Sequence, residues 1–170
     1  MKRVAALCAL LLALAAPAAQ SRDQAVYRID HVADGDTVDL TNGAKVRLVQ
    51  IDTPEVYFGT ECYGPQASAL TKRLLPPGTL VRLAPEPKTD RVDAYGRLLR
   101  YVIRVRDDLN VNVYLVRVGA AAPYFYDGRR GQYAALLDRL ARRARALHLG
   151  LWGACRHTPY DPYRRLATNP

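Results

Sequence analysis

Histidine, phenylalanine, methionine and tryptophan are scarce, at three, two, one and one among 170 residues. The histidines, His31, His148 and His157, stand at no ligand spacing with any cysteine, which argues against a zinc site. Three cysteines are too few for a scaffold built on several disulfides. With 11 glycines and 11 prolines the chain is neither collagen-like nor a low-complexity linker. No heptad pattern persists, so a coiled coil is excluded. The longest apolar run, Val4 to Ala16, falls short of the roughly 20 residues that span a bilayer. No internal repeat and no linker divides the chain, and its length suits one domain.

Positive charge is what the sequence has in excess. Lys and Arg number 25 against 16 Asp and Glu, a formal charge of +9. That balance favours an anionic partner: nucleic acid, an acidic membrane surface or another polyanion. Residues 1–19 read as a secretory signal peptide: Lys2 and Arg3, then the apolar run, then small residues with cleavage after Ala18 or Ala19. A membrane anchor is the competing reading. Cleavage removes two positive charges and no acidic one, so +9 becomes +7. The mature chain is then secreted or periplasmic, without stable membrane association, and keeps only Cys62 and Cys155. An even count in an oxidising compartment points to a disulfide between them, with two buried free thiols as the alternative.

Short runs rich in Val, Ile and Leu predict strands over Val26–Val32, Asp36–Leu40 and Lys45–Ile51, with a hairpin turn at Asn42-Gly43. Gly64-Pro65 opens a helix whose face is Ala67, Leu70 and Leu74, and Pro76-Pro77-Gly78 ends it. Strands are expected at Leu80–Leu83 and Leu98–Arg106, and a short helix at Val111–Val118. Over Gln132–Leu147, Tyr133, Leu136, Leu137, Leu140, Ala144 and Leu147 make one helical face, while Arg139, Arg142, Arg143 and Arg145 make the other. The proline-containing tail, 156–170, has no periodic pattern and is expected to be loosely held. The order predicts a mainly β domain with α, an α+β fold in which a small closed barrel carries helices outside.

Three polar clusters stand where structure alone has no need of them. Asp34-Gly35-Asp36-Thr37 opens the second strand, and Asp52-Thr53-Pro54-Glu55 follows the third. Each alone could be a turn. A hairpin turning at Asn42-Gly43 puts Asp36 and Asp52 towards the same end of the ladder, however, and adjacent carboxylates repel unless protonated or bridged by a cation. Ca²⁺ is the natural bridge in a secreted protein. Glu55 would then act on a water beside the cation. Arg47, on the strand leading in, suits a phosphate held there. The third cluster, Asp93-Ala94-Tyr95-Gly96-Arg97, offers another guanidinium and a phenol, with a solvated surface charge as the plainer reading.

These motifs, together with Tyr63-Gly64-Pro65-Gln66-Ala67 and Gly150-Leu151-Trp152, resemble in order those of the thermonuclease (staphylococcal nuclease-like) family, over residues 26 to 153. The resemblance implies an OB-fold, a five-stranded β-barrel with peripheral helices, occupying residues 25–155. It also implies a Ca²⁺-dependent phosphodiesterase that cuts DNA and RNA at the P–O5′ bond to give 3′-phosphates. By the same likeness Asp36 and Asp52 are calcium carboxylates, and Thr53 lends its backbone carbonyl. Glu55 activates water, and Arg47 and Arg97 grip the scissile phosphate. Tyr95 binds phosphate, and Tyr124 and Tyr126 line the nucleotide pocket. Cys62 and Cys155 resemble positions that secreted members use. Ala94 stands where some members carry a lysine that contacts a terminal phosphate. The expectation is a monomeric nuclease whose partner is its nucleic-acid substrate; the alternative is a non-catalytic OB module that binds single strands.

Overall fold

The hairpin forms where Asn42 and Gly43 let the chain reverse: Gly43 N–H donates to the Leu40 carbonyl (2.9 Å) and the Asn42 side chain accepts from Ala44 N–H (3.1 Å). The computed structural model describes residues 25–57 and 59–168. The signal-peptide reading of residues 1–19 lies outside them. Strand β1 (Val26–Val32) pairs with β2 (Thr37–Leu40), which pairs with β3 (Lys45–Leu48). Strand β4 (Ile51–Asp52) and helix α1 (Gly64–Leu74) follow, and then β5 (Leu80–Pro85) and β6 (Leu98–Arg104). β5 pairs with both β1 and β6, and β6 returns to run parallel to β3. The ring β3-β2-β1-β5-β6 is therefore a closed five-stranded barrel, the OB-fold arrangement expected.

Outside it lie α2 (Val111–Arg117), α3 (Ala134–Ala146) and the short α4 (Leu151–Ala154); the small strand β7 (Leu109–Asn110) pairs with β6 just before α2, and β8 (Ala122–Pro123) lies between α2 and α3. Asn110 caps α2 by accepting from Val113 N–H. Helix α3 buries Ala134, Leu137, Ala141 and Ala144 and leaves its arginines in solvent. Leu147 lies past its last turn and is exposed, contrary to the expected face. The barrel and the helices share one core around Ile29, Val38, Leu48, Leu115, Phe125 and Leu137. Among the described residues no helix is long and apolar enough to cross a membrane.

Two expectations need correction. The third strand does not run through to Ile51: it stops at Leu48, and Gln50 adopts a left-handed backbone (φ 66°). Gln50 is held there by its own amide, which donates to the Arg129 carbonyl (2.8 Å) and accepts from Gly131 N–H (2.7 Å). The kink lifts β4 off the barrel to pair with β8. The tail is not loosely held. Leu166 and Thr168 are buried, and Cys62 and Thr168 pair in both directions, Cys62 N–H to the Thr168 carbonyl (3.1 Å) and Thr168 Oγ1 to the Cys62 carbonyl (2.7 Å). Lack of periodicity misled there, because the segment is held residue by residue by distant parts of the chain. Cys62 and Cys155 are joined by a disulfide.

Candidate active site

The β2–β3 register sets Thr37 opposite Arg47, and Leu48 N–H donates to the Asp36 carbonyl (2.8 Å). Asp36 and Arg47 therefore share one end of the hairpin, and the Gln50 kink returns Asp52 to the same place. Gly35 is required by a close approach: a Cβ there would lie 2.5 Å from Thr53 Oγ1. Gly64 is required likewise, since its Cβ would lie 2.4 Å from the Glu55 carbonyl oxygen. Thr71 of α1 donates to the Gly35 carbonyl (2.7 Å), so the helix pins the turn from behind. The two acidic motifs thus pack directly on each other and on α1.

At the centre is Arg47, nearly buried, between two nearly buried carboxylates. Its Nη1 lies 2.8 Å from Asp36 Oδ2, and its Nη2 donates to Asp52 Oδ1 at 2.5 Å. Asp36 Oδ2 also accepts from Thr53 N–H (2.9 Å) and Thr53 Oγ1 (3.0 Å). Burial pushes the Asp36 carboxyl up to about 7 against the pull of Arg47, and the charges of Asp52 and Asp34 add to the rise. Burial alone would lower Arg47, but the surrounding carboxylates, led by Asp36 and Asp52, raise it. With both carboxylates ionised, two negative charges face one positive out of water, a local deficit of positive charge.

That deficit and the all-oxygen donor set fit a hard divalent cation. Asp36 and Asp52 are the two carboxylates that could hold it. Among the described residues no three His, Cys, Asp or Glu side chains form a metal-binding cluster. A cation here would therefore complete its shell with carbonyl, water or substrate oxygens.

Arg47 also lines a cavity of about 490 Å³ with Arg97, Tyr95, Tyr124, Tyr126 and Arg165. Arg97 is steered into it by Asp93, whose Oδ2 accepts from Arg97 Nε (2.7 Å), and its Nη1 lies 3.4 Å from Thr37 Oγ1. Tyr95 is 85% exposed, its ring centroid 5.3 Å from the Arg97 guanidinium carbon. Strand β8 brings in the other aromatics: Asp52 pairs with Ala122, and Tyr124 N–H donates to the Gln50 carbonyl (3.0 Å). Tyr124 and Tyr126 meet edge to face at 6.3 Å. The Tyr124 phenol is raised by burial and next by the Asp52 charge, which marks how near the carboxylates lie.

Glu55 stands at the side of this group, half-exposed. Burial raises its carboxyl, Arg165 opposes that, and Asp52 and Asp34 add to it. Its backbone is fixed by exchange with Glu61, whose Oε2 accepts from Glu55 N–H (2.9 Å) and whose N–H donates to the Glu55 carbonyl (2.9 Å). The residues singled out in the sequence for cation, phosphate and base thus lie in or against one group, and the disulfide of Cys62 and Cys155 lies apart from it. Missed were Asp93, which steers Arg97, and Arg165 and Leu166 of the tail. Leu166 N–H donates to Asp52 Oδ2 (2.8 Å), and Arg165 Nη2 lies 3.5 Å from Glu55 Oε1. The tail's Tyr160, Tyr163 and Leu166 were the available signal, since a solvated tail has little use for them.

The family model described as Staphylococcal nuclease homologue matches residues 45–154. A thermonuclease of Staphylococcus intermedius is 33% identical over 132 residues, covering 74% of this chain and 75% of that protein. An uncharacterized endonuclease of Escherichia coli O157:H7 is 35% identical over 130 residues, covering 74% and 75%. With the closed barrel and the order of its motifs, the match makes this chain a member of the staphylococcal nuclease family and an endonuclease of the hydrolase class.

Proposed function

We propose that this is a secreted, Ca²⁺-dependent nuclease that hydrolyses phosphodiester bonds of DNA and RNA and leaves 3′-phosphates. The observation that carries the reading is Arg47, held between the buried Asp36 and Asp52 while lining a cavity with a second guanidinium, Arg97. A cavity with two arginines in its wall and buried carboxylates behind it suits a phosphodiester. Bound by Asp36, Asp52 and the Thr53 carbonyl, a divalent cation would supply Lewis-acid polarisation of the phosphoryl oxygens.

The chain's own groups do the rest. Arg47 and Arg97 orient the phosphate and hold the charge that builds on its non-bridging oxygens. A Glu55 carboxylate oxygen takes a proton from the attacking water. The water oxygen bonds to phosphorus as the P–O5′ bond breaks, which leaves a 3′-phosphate, and the departing 5′-oxygen takes a proton from solvent to become a 5′-hydroxyl. A carboxyl raised by burial is a better base than an ordinary one, and Glu55 is raised in that sense. Tyr124 and Tyr126 give the adjoining base an aromatic wall, and Tyr95 offers a phenol at the phosphate edge. Secretion is supported by the Cys62–Cys155 disulfide, which suits an oxidising compartment.

The test is to incubate purified mature protein with plasmid and with single-stranded DNA, in Ca²⁺ and in chelator. Cleavage in Ca²⁺ and none in chelator is expected. Binding of single strands without Ca²⁺-dependent cleavage would instead establish a non-catalytic module.

A further inference from the structure

The tail has no task in the reaction just described, yet it is built into the site. It is fastened at several points. Tyr160 donates to Asp138 Oδ1 (2.7 Å), and the Pro162 carbonyl accepts from Phe125 N–H (2.6 Å). Leu166 packs with Ala122, Leu151 and Trp152, and the fully buried Thr168 pairs with Cys62 in both directions. Between these anchors two consecutive residues face the site. Leu166 N–H takes the one oxygen of Asp52 that Arg47 does not, so that carboxylate is held from both sides. Arg165 reaches the cavity and lies beside Glu55.

The Arg165–Glu55 pair is loose. The side chains are 63% and 44% exposed and 3.5 Å apart, and an ion pair so open to water contributes little. A guanidinium forms stronger, two-pronged bonds with a phosphate. Arg165 therefore gives up little on leaving Glu55 for a phosphate, and its departure frees the carboxylate. Arg47, by contrast, lines the cavity from a fixed place between two buried carboxylates and does not leave them to follow a second phosphate. The fastening on either side of Arg165 also argues against a strap that swings away.

We propose that residues 160–168 form a fixed wall of the nuclease site and that Arg165 is a substrate-binding residue, holding the strand phosphate next to the scissile one. This rests on the reading of the site as a nuclease. It makes the substrate an extended strand rather than a single phosphodiester.

The test compares Arg165→Ala with the parent mature protein on a single-stranded 12-mer and on a dinucleotide with one phosphodiester. On the 12-mer KM should rise roughly tenfold with kcat little changed, and the slope of log affinity against log salt should fall by about 0.7, one phosphate contact on a single strand. On the dinucleotide the change should stay below about twofold, and Arg165→Lys should restore most of the salt slope. A rise in kcat would overturn the proposal in favour of an inhibitory tail. Equal losses on both substrates would overturn it in favour of action through Glu55 alone, and an unchanged salt slope would overturn it outright. Binding of the 12-mer in chelator, followed by fluorescence anisotropy, separates the two readings. A weaker, less salt-dependent complex for Arg165→Ala upholds the wall even if no cleavage occurs. Normal cleavage with unchanged binding upholds the nuclease and refutes the wall.

Discussion

The floor of the site and its rim are built on opposite principles. Asp36, Arg47, Asp52 and Thr53 are each 8% exposed or less and satisfy one another. At the rim, Tyr95, Tyr126, Glu55 and Arg165 stand largely in water, and Arg97 is held mainly by Asp93. Floor charges cannot be removed singly, because each is the solvation of the next. Rim residues can, because water replaces what is lost. Substitutions in the floor should therefore damage fold and chemistry together, and those at the rim should separate them.

The strongest way to break this contrast is Arg47→Ala. It strands two buried carboxylates, so a loss of about 3–5 kcal/mol is expected in denaturant unfolding with chelator present, along with loss of cleavage. A stable, inactive Arg47→Ala protein would show that the floor is no tighter than the rim. Glu55→Gln should do the opposite, lowering turnover by about 10²–10⁴-fold with an unchanged unfolding midpoint. Turnover within a few-fold of the parent would remove Glu55 from its role.

Replacing both Cys62 and Cys155 by serine opens a loop of sequence separation 93 and loosens the partner of Thr168. A cost of about 2–4 kcal/mol is expected by thermal unfolding, with activity kept at low temperature. Full stability would mean that the wall is held by its other contacts.

The smallest effect is at the rim. For Asp93, burial alone would raise the carboxyl, but hydrogen bonds from Arg97 and Tyr95 hold it below 3.8. A depressed acid contributes stability that is complete above its unfolded value and lost as pH falls through the lower folded value. For a pair this near water the contribution is about 0.5–1 kcal/mol. The melting-temperature gap between parent and Asp93→Asn should therefore be present at pH 7 and close as pH falls through the lowered folded value. A gap that persists in acid would assign it to packing.

The barrel and the meeting of the acidic motifs were legible in the sequence, because a turn at Asn42-Gly43 fixes which residues of β2 and β3 face each other. The Gln50 kink was not, since a left-handed glutamine carries no local signature and its support comes from Arg129 and Gly131, some 80 positions on. Nor was the β4–β8 pair that brings Tyr124 to Asp52, because two-residue strands leave no periodic trace. The tail failed for the same reason on a larger scale: Leu166 and Thr168 hydrogen-bond one at a time to partners more than 100 positions away.

The bond from Leu166 to Asp52 also has a consequence for the order of folding. The two residues are 114 positions apart. Closing a loop of that length costs more chain entropy than the local turn at Asn42-Gly43, so the hairpin carrying Asp36 and Arg47 is expected to form before Asp52 gains its Leu166 partner.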